Sequence, residues 1–142
     1  MRRADGPAAA VLSGPAPGVA VDPEDGPRRA PSYAQGVLVP GGSRLLFISG
    51  QAPQTADGVV PAAFEDQCRL AWENVLAVLR AAGMTVGHLV KVTVILADRQ
   101  HRAACSEIRR EVLGDHRPAV LYTFADLWVD SWLLEIEAVA AA

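Results

Sequence analysis

The chain has 142 residues, 51% of them hydrophobic, and a formal net charge of −3 at pH 7. That length bounds it to one domain with room for a sizeable core and at most a loosely held extension. The acidic balance gives no broad electrostatic attraction for nucleic acid, and no run approaches the ~18 apolar residues that a membrane span needs.

Pro31 and the residues before it hold six of the ten prolines and no aromatic residue. Such a stretch buries too little surface to offset its ordering entropy, so residues 1–30 are expected to be a flexible arm. The opening MRRADGP is broken by Pro and Gly and makes a poor signal peptide. The folded domain, residues 31–142, should start near Tyr33.

Gly36 to Val39 reads as a strand, Pro40-Gly41-Gly42-Ser43 as a turn, and Arg44 to Ser49 as a second strand, together a hairpin. Pro61 opens a helix to about Ala82, with Phe64, Cys68, Ala71, Trp72, Val75, Leu76 and Leu79 on the 3.6-residue period and Gly83 as its stop. Leu89 to Leu96 is a β-branched strand. Asp98 can cap a second helix, about Gln100 to Leu113, which Gly114 ends. Val120 to Phe124 and Trp132 to Ala140 complete the sheet, the last alternating Leu134, Ile136, Ala138 against Glu135, Glu137, Val139.

The order β-β-α-β-α-β-β implies an α+β domain with two helices on one face of a mixed sheet. Regular pleating would leave Phe47, Ser49, Ile95, Val120, Tyr122, Phe124, Leu133, Glu135 and Glu137 on the other face. That face is too apolar for water, so a second subunit is expected to cover it, with a polar cleft between subunits. Cys68 and Cys105 show no CxxC or ligand spacing and read as free thiols of a cytoplasmic protein. His88, His101 and His116 show no metal spacing and read as surface residues.

Six stretches in this order carry a resemblance: Tyr33-Ala34-Gln35-Gly36, Phe47-Ile48-Ser49-Gly50-Gln51, Glu73-Asn74-Val75 with Ala81-Ala82-Gly83, Val90-Lys91-Val92-Thr93-Val94, Gly114-Asp115-His116-Arg117-Pro118-Ala119, and Glu135-Ile136-Glu137-Ala138-Val139-Ala140. From about Tyr33 onward the chain resembles the Rid (YjgF-type) imine/enamine deaminase family. The resemblance implies a chorismate-mutase-like fold and a homotrimer with clefts at its subunit interfaces. It implies hydrolysis of reactive imines and enamines derived from amino acids, with release of ammonia and with no metal or organic cofactor.

In that family an Arg directly after Pro-Ala grips the substrate carboxylate, a task suited to a planar, bidentate cation. Here that place holds Val120, which has no charge to offer. The first Glu of the Glu-Ile-Glu motif is present as Glu135, a candidate to orient water or pass a proton. Ser106 stands where Asn is common, and Trp128 and Trp132 lie in the loop before Glu135. Tyr33, Ser49, Gln51, Ser106, Val120, Trp128 and Trp132 are the candidate substrate-binding set.

Each has a plainer reading: packing for Tyr33, turn hydrogen bonding for Ser49 and Gln51, interface capping for the tryptophans. Arg109, beside Arg110, reads as a solvated helix-face residue; the alternative is a cation that replaces the missing one. The expectation is a Rid-type enzyme on a bulkier substrate less dependent on a carboxylate than 2-aminoacrylate. The alternative is a metabolite-binding trimer that kept the fold and lost the chemistry. A third reading, a nuclease, finds no basic patch in the sequence to support it.

Overall fold

The computed structural model describes residues 18–24 and 32–142. Most of the arm expected at residues 1–30 lies outside them. Within it Val19–Val21 forms a strand, β1, paired antiparallel with Gly36–Leu38, β2. The hairpin expected between β2 and the next strand is therefore not formed. Leu45–Gln51, β3, pairs instead with the C-terminal strand, because the apolar alternation of that strand offers a longer partner than three residues can.

Helix α1 spans Phe64–Ala81 and α2 spans Arg102–Leu113. The acidic Glu65 and Asp66 sit in the first turn of α1 and Arg80 in its last, each sign placed to oppose the helix dipole. Gly83 follows with φ 70°, a conformation that a side chain would strain. Asp98 accepts a hydrogen bond from the Gln100 amide at 2.8 Å and starts the turn that leads into α2.

The main sheet has the order β3-β6-β4-β5, with β4 Leu89–Leu96, β5 Ala119–Phe124 and β6 Leu134–Ala141. β6 runs antiparallel to β3 and β4, while β4 and β5 are parallel and joined through α2. Both helices pack on one face. Val92, Val94, Leu96, Leu134 and Ile136 are fully buried there beneath Trp72, Val75 and Leu79 of α1.

Register corrects the expected face of β5. Val120, Tyr122 and Phe124 pair with the inward Val92, Val94 and Leu96, so they share the helical side and pack on the core, as does Leu133. The open face keeps Phe47, 73% exposed, with Lys91, Thr93, Glu135, Glu137 and Val139. It is more polar than pleating from the sequence suggested.

The histidines are also not plain surface groups. His88 is 6% exposed and closes a reciprocal cap with Thr85. His101 stacks on Phe64 with centroids 4.2 Å apart, and His116 Nε2 lies 2.7 Å from the Leu89 carbonyl.

Candidate functional site

Sequence-predicted residues fall into two sets at opposite edges of the sheet. The first set surrounds a cavity of about 920 Å³ between α2, β5 and the segment at Ser32 and Tyr33. That segment is seated by Ala34, whose amide donates to the Pro118 carbonyl at 3.1 Å and which bridges Ala119. Tyr33, Ser106 and Val120 line the cavity together. Ser106 Oγ lies 3.3 Å from the Tyr122 hydroxyl. Arg99, Arg102 and Arg110 stand around the same opening, a basic cluster that linear sequence disperses.

Arg109 is the residue most changed by folding. It is 3% exposed, not solvated, because the turn of α2 that buries Cys105 and Ile108 carries it inward too. Its Nη2 donates to Ser32 Oγ at 3.1 Å and its guanidinium lies 5.6 Å from the Tyr122 ring centroid. Nε and Nη1 are buried with no hydrogen-bond partner among the described residues.

Behind it the Cys68 thiol donates to Cys105 across α1 and α2 at 3.7 Å, both cysteines being free and buried. That bond holds the Cys105 thiol below its usual value, against the opposing effect of burial, and Tyr122 and Arg109 add to the lowering. The same bond and burial push Cys68 far up. Burial first, then the charge on Cys105, push the Tyr122 hydroxyl up to about 12.

The second set lies across the sheet, at β3 and β6. Glu135 occupies the open face opposite Ile95, and its side chain crosses the backbone of Gly50. A Cβ on Gly50 would lie 2.8 Å from the Glu135 carboxyl carbon and closer still to Oε1. Glycine is needed here for space. The register between β3 and β6 shifts between Ile48 and Gln51, which turns the strand under the carboxylate.

Gln51 Nε2 donates to the Ser49 carbonyl at 3.0 Å. Ser49 lines a hollow of about 330 Å³ with Phe47, Lys91, Thr93 and Glu137. Asn74 on α1 donates to the Ala52 and Gln54 carbonyls at 2.9 and 3.0 Å, fixing the chain that leaves β3.

The tryptophans join neither set. Trp128 is 92% exposed, and Trp132 is half-buried with Nε1 lacking an acceptor among the described residues. Sequence reading missed Ser32, Tyr122, Arg99 and Arg102 at the cavity and Gly50 beneath Glu135. Only Gly50 had a readable signal, a glycine within a strand pattern. Among the described residues no three His, Cys, Asp or Glu side chains gather to hold a metal ion.

Residues 24–142 match the family model described as endoribonuclease L-PSP. The chain belongs to this family, the Rid (YjgF) family. The RutC family protein PH0854 of Pyrococcus horikoshii is 33% identical over 120 residues, 82% of this chain and 92% of that protein. TdcF of Escherichia coli, assigned as a reactive intermediate deaminase, is 38% identical over 97 residues, 63% of this chain and 71% of that protein.

Its crystal structure with bound serine superposes with a TM-score of 0.66 at 33% identity, covering 87% of this chain and 98% of that one. The Rid protein YyfB of Yersinia pestis superposes with a TM-score of 0.79 at 26% identity, covering 89% and 99%. These likenesses support a Rid-type function. Val120 is an apolar side chain on the cavity wall.

Proposed function

We propose that the protein is a Rid-type deaminase acting on an imine, or on an enamine through its imine tautomer, derived from an amino acid. Water adds to the C=N carbon, the nitrogen takes up protons, and the carbinolamine collapses to a carbonyl compound and ammonia. The observation that carries this is the Glu135 carboxylate laid across Gly50, a placement that the fold maintains by excluding a side chain there. A carboxylate so held orients water and passes its proton to nitrogen. Backbone groups near Ala119–Leu121 take the polar end of the substrate. Ser49 and Gln51 belong to the Glu135 half and Tyr33 and Ser106 to the other half; Trp128 and Trp132, in neither half of one chain, shape the rim only once a second copy closes the site.

The two halves stand at opposite edges of one sheet, so a complete site needs two copies of the chain. A homotrimer with three inter-subunit clefts is the assembly proposed. Val120 supplies an apolar wall in place of a cation, which favours a substrate larger than 2-aminoacrylate. The reaction as written needs no cofactor and no nucleic acid. No helix of the described residues is long and apolar enough to cross a membrane. Thiols 3.7 Å apart that remain unjoined suit a reducing compartment, and the cytoplasm is the location proposed.

The test is ammonia release from enzymatically generated 2-aminoacrylate and bulkier amino-acid imines, wild type beside Glu135→Gln. Turnover is expected in the wild type and lost in the variant, with the assembly mass unchanged. Equal turnover in both removes Glu135 from the mechanism. The charge missing at Val120 favours one other reading, a metabolite-binding trimer, for which a ligand binds and no product forms.

A further inference from the structure

A guanidinium withdrawn from water is costly unless its donors are met, by several kcal/mol per ion even after relaxation. Arg109 is 3% exposed, yet among the described residues its partners are one Ser32 hydroxyl and one ring face, and neither is an anion. The ion pairs among the described residues all lie elsewhere. The two unpartnered nitrogens belong to a side chain that lines the 920 Å³ cavity, beside Tyr33, Ser106, Tyr122 and Val120. Among the described residues Glu107 is the sole acidic one lining it, against Arg99, Arg102, Arg109 and Arg110. Such a site is incomplete without an anion.

We propose that Arg109 grips the carboxylate of the substrate, supplying from α2 the cation that position 120 of β5 lacks. This rests on the deaminase reading for the identity of the substrate, an amino-acid imine that retains its carboxylate. It reverses the expectation that Val120 frees the site from carboxylate recognition. The apolar side chain of Val120 then contacts the carbon skeleton while Arg109 holds the charged end. The depth of Arg109 restricts the occupant to a terminal anionic group of a small molecule, because a phosphodiester backbone needs its contacts at the surface. The exposed Arg99, Arg102 and Arg110 raise the local anion concentration and guide entry.

The test uses the full chain and the 2-oxo acids from pyruvate to phenylpyruvate, the products expected of such imines, each beside its uncharged methyl ester. Binding is read by calorimetry for wild type, Arg109→Met, Arg109→Lys and the double variant Arg109→Met with Val120→Arg. The wild type is expected to prefer the acid over the ester. Arg109→Met is expected to lose acid binding by about thirty-fold or more, with ester binding unchanged, and the double variant to regain it.

Without ligand, Arg109→Met should melt no lower than wild type, since it replaces unmet donors with a side chain of similar volume. Acid binding that survives in Arg109→Met overturns the proposal. So does a fall in melting temperature or a change of assembly mass in both Arg109→Met and Arg109→Lys, either of which makes the residue structural. RNA binding that Arg109→Met abolishes while acid binding persists overturns it as well. Arg109-dependent acid binding without ammonia release from any imine supports the grip and refutes the deaminase reading, so the two fail separately.

Discussion

Replacing Gly50 by alanine separates the two things this fold asks of Glu135. The new Cβ would meet the Glu135 side chain, 2.8 Å from its carboxyl carbon and 3.1 Å from Cγ, so one of them must move. The obstacle is the free end of a flexible side chain on an open sheet face, so the carboxylate turns aside and the backbone stays. A change of side-chain conformation costs about 0.5–1.5 kcal/mol. Alanine recovers about 0.4–1 kcal/mol by restricting the unfolded chain, and Gly50 is not among the glycines with positive φ that would oppose it.

The net change lies within about 1 kcal/mol, or about 3 °C in Tm for a domain of this size. Function responds differently, because misplacing a reacting group by about 1 Å can cost on the order of a hundredfold. The assay is ammonia release from amino-acid imines, with a melting curve on the same preparation. A Gly50→Ala protein with wild-type kcat refutes the reasoning, as does one that loses activity only because it has unfolded.

Gln67 is 2% exposed and holds three backbone groups, donating to the Pro61 and Ser131 carbonyls at 2.8 and 2.9 Å and accepting from the Leu133 amide at 2.8 Å. Gln67→Leu leaves those groups unmet and should lower stability by about 2–4 kcal/mol, read as a reduced denaturant midpoint at unchanged slope. Tyr122 titrates late, with its value raised from 10.0 to about 12. A value raised on folding contributes stability that is present below pH 10 and lost as pH climbs through about 12. Absorbance at 295 nm should therefore show a late phenolate step that Tyr122→Phe removes, and that variant should resist alkaline unfolding better. Asn74→Ala frees the chain at Ala52 and Gln54 and should lower kcat more than Tm, measured as for Gly50→Ala.

The helices, the strand β4 and the C-terminal strand were legible because each carries a strong local period. Phe64 to Leu79 repeats at helical spacing, and Leu134 to Ala138 alternates. The partner of β2 was not legible, since Val19-Ala20-Val21 is three residues long and lies among prolines and glycines. Face assignment failed for β5 because its side is fixed by the register with β4, which sequence does not state. Arg109 was misplaced by the same limit. Its neighbour Arg110 is exposed, and only the packing of α2 on β5 decides which of two adjacent arginines turns inward. Glu135 was legible as a carboxylate among apolar residues, while the glycine that makes room for it was visible only as a strand irregularity.

The crossover that carries β4 through α2 into β5 gives the cavity two walls that are neighbours in the chain as well as in space. A charge can therefore enter the same volume from either wall. On the strand it replaces a side chain resting on the core. On the helix it leaves the sheet ladder untouched. Ligand preference can drift in a lineage by shifting a charge from one wall to the other, with a folded protein at each step. Sorting relatives by the residue after Pro-Ala alone would then count an anion binder among those that have lost the trait, so a census of this fold has to read both walls.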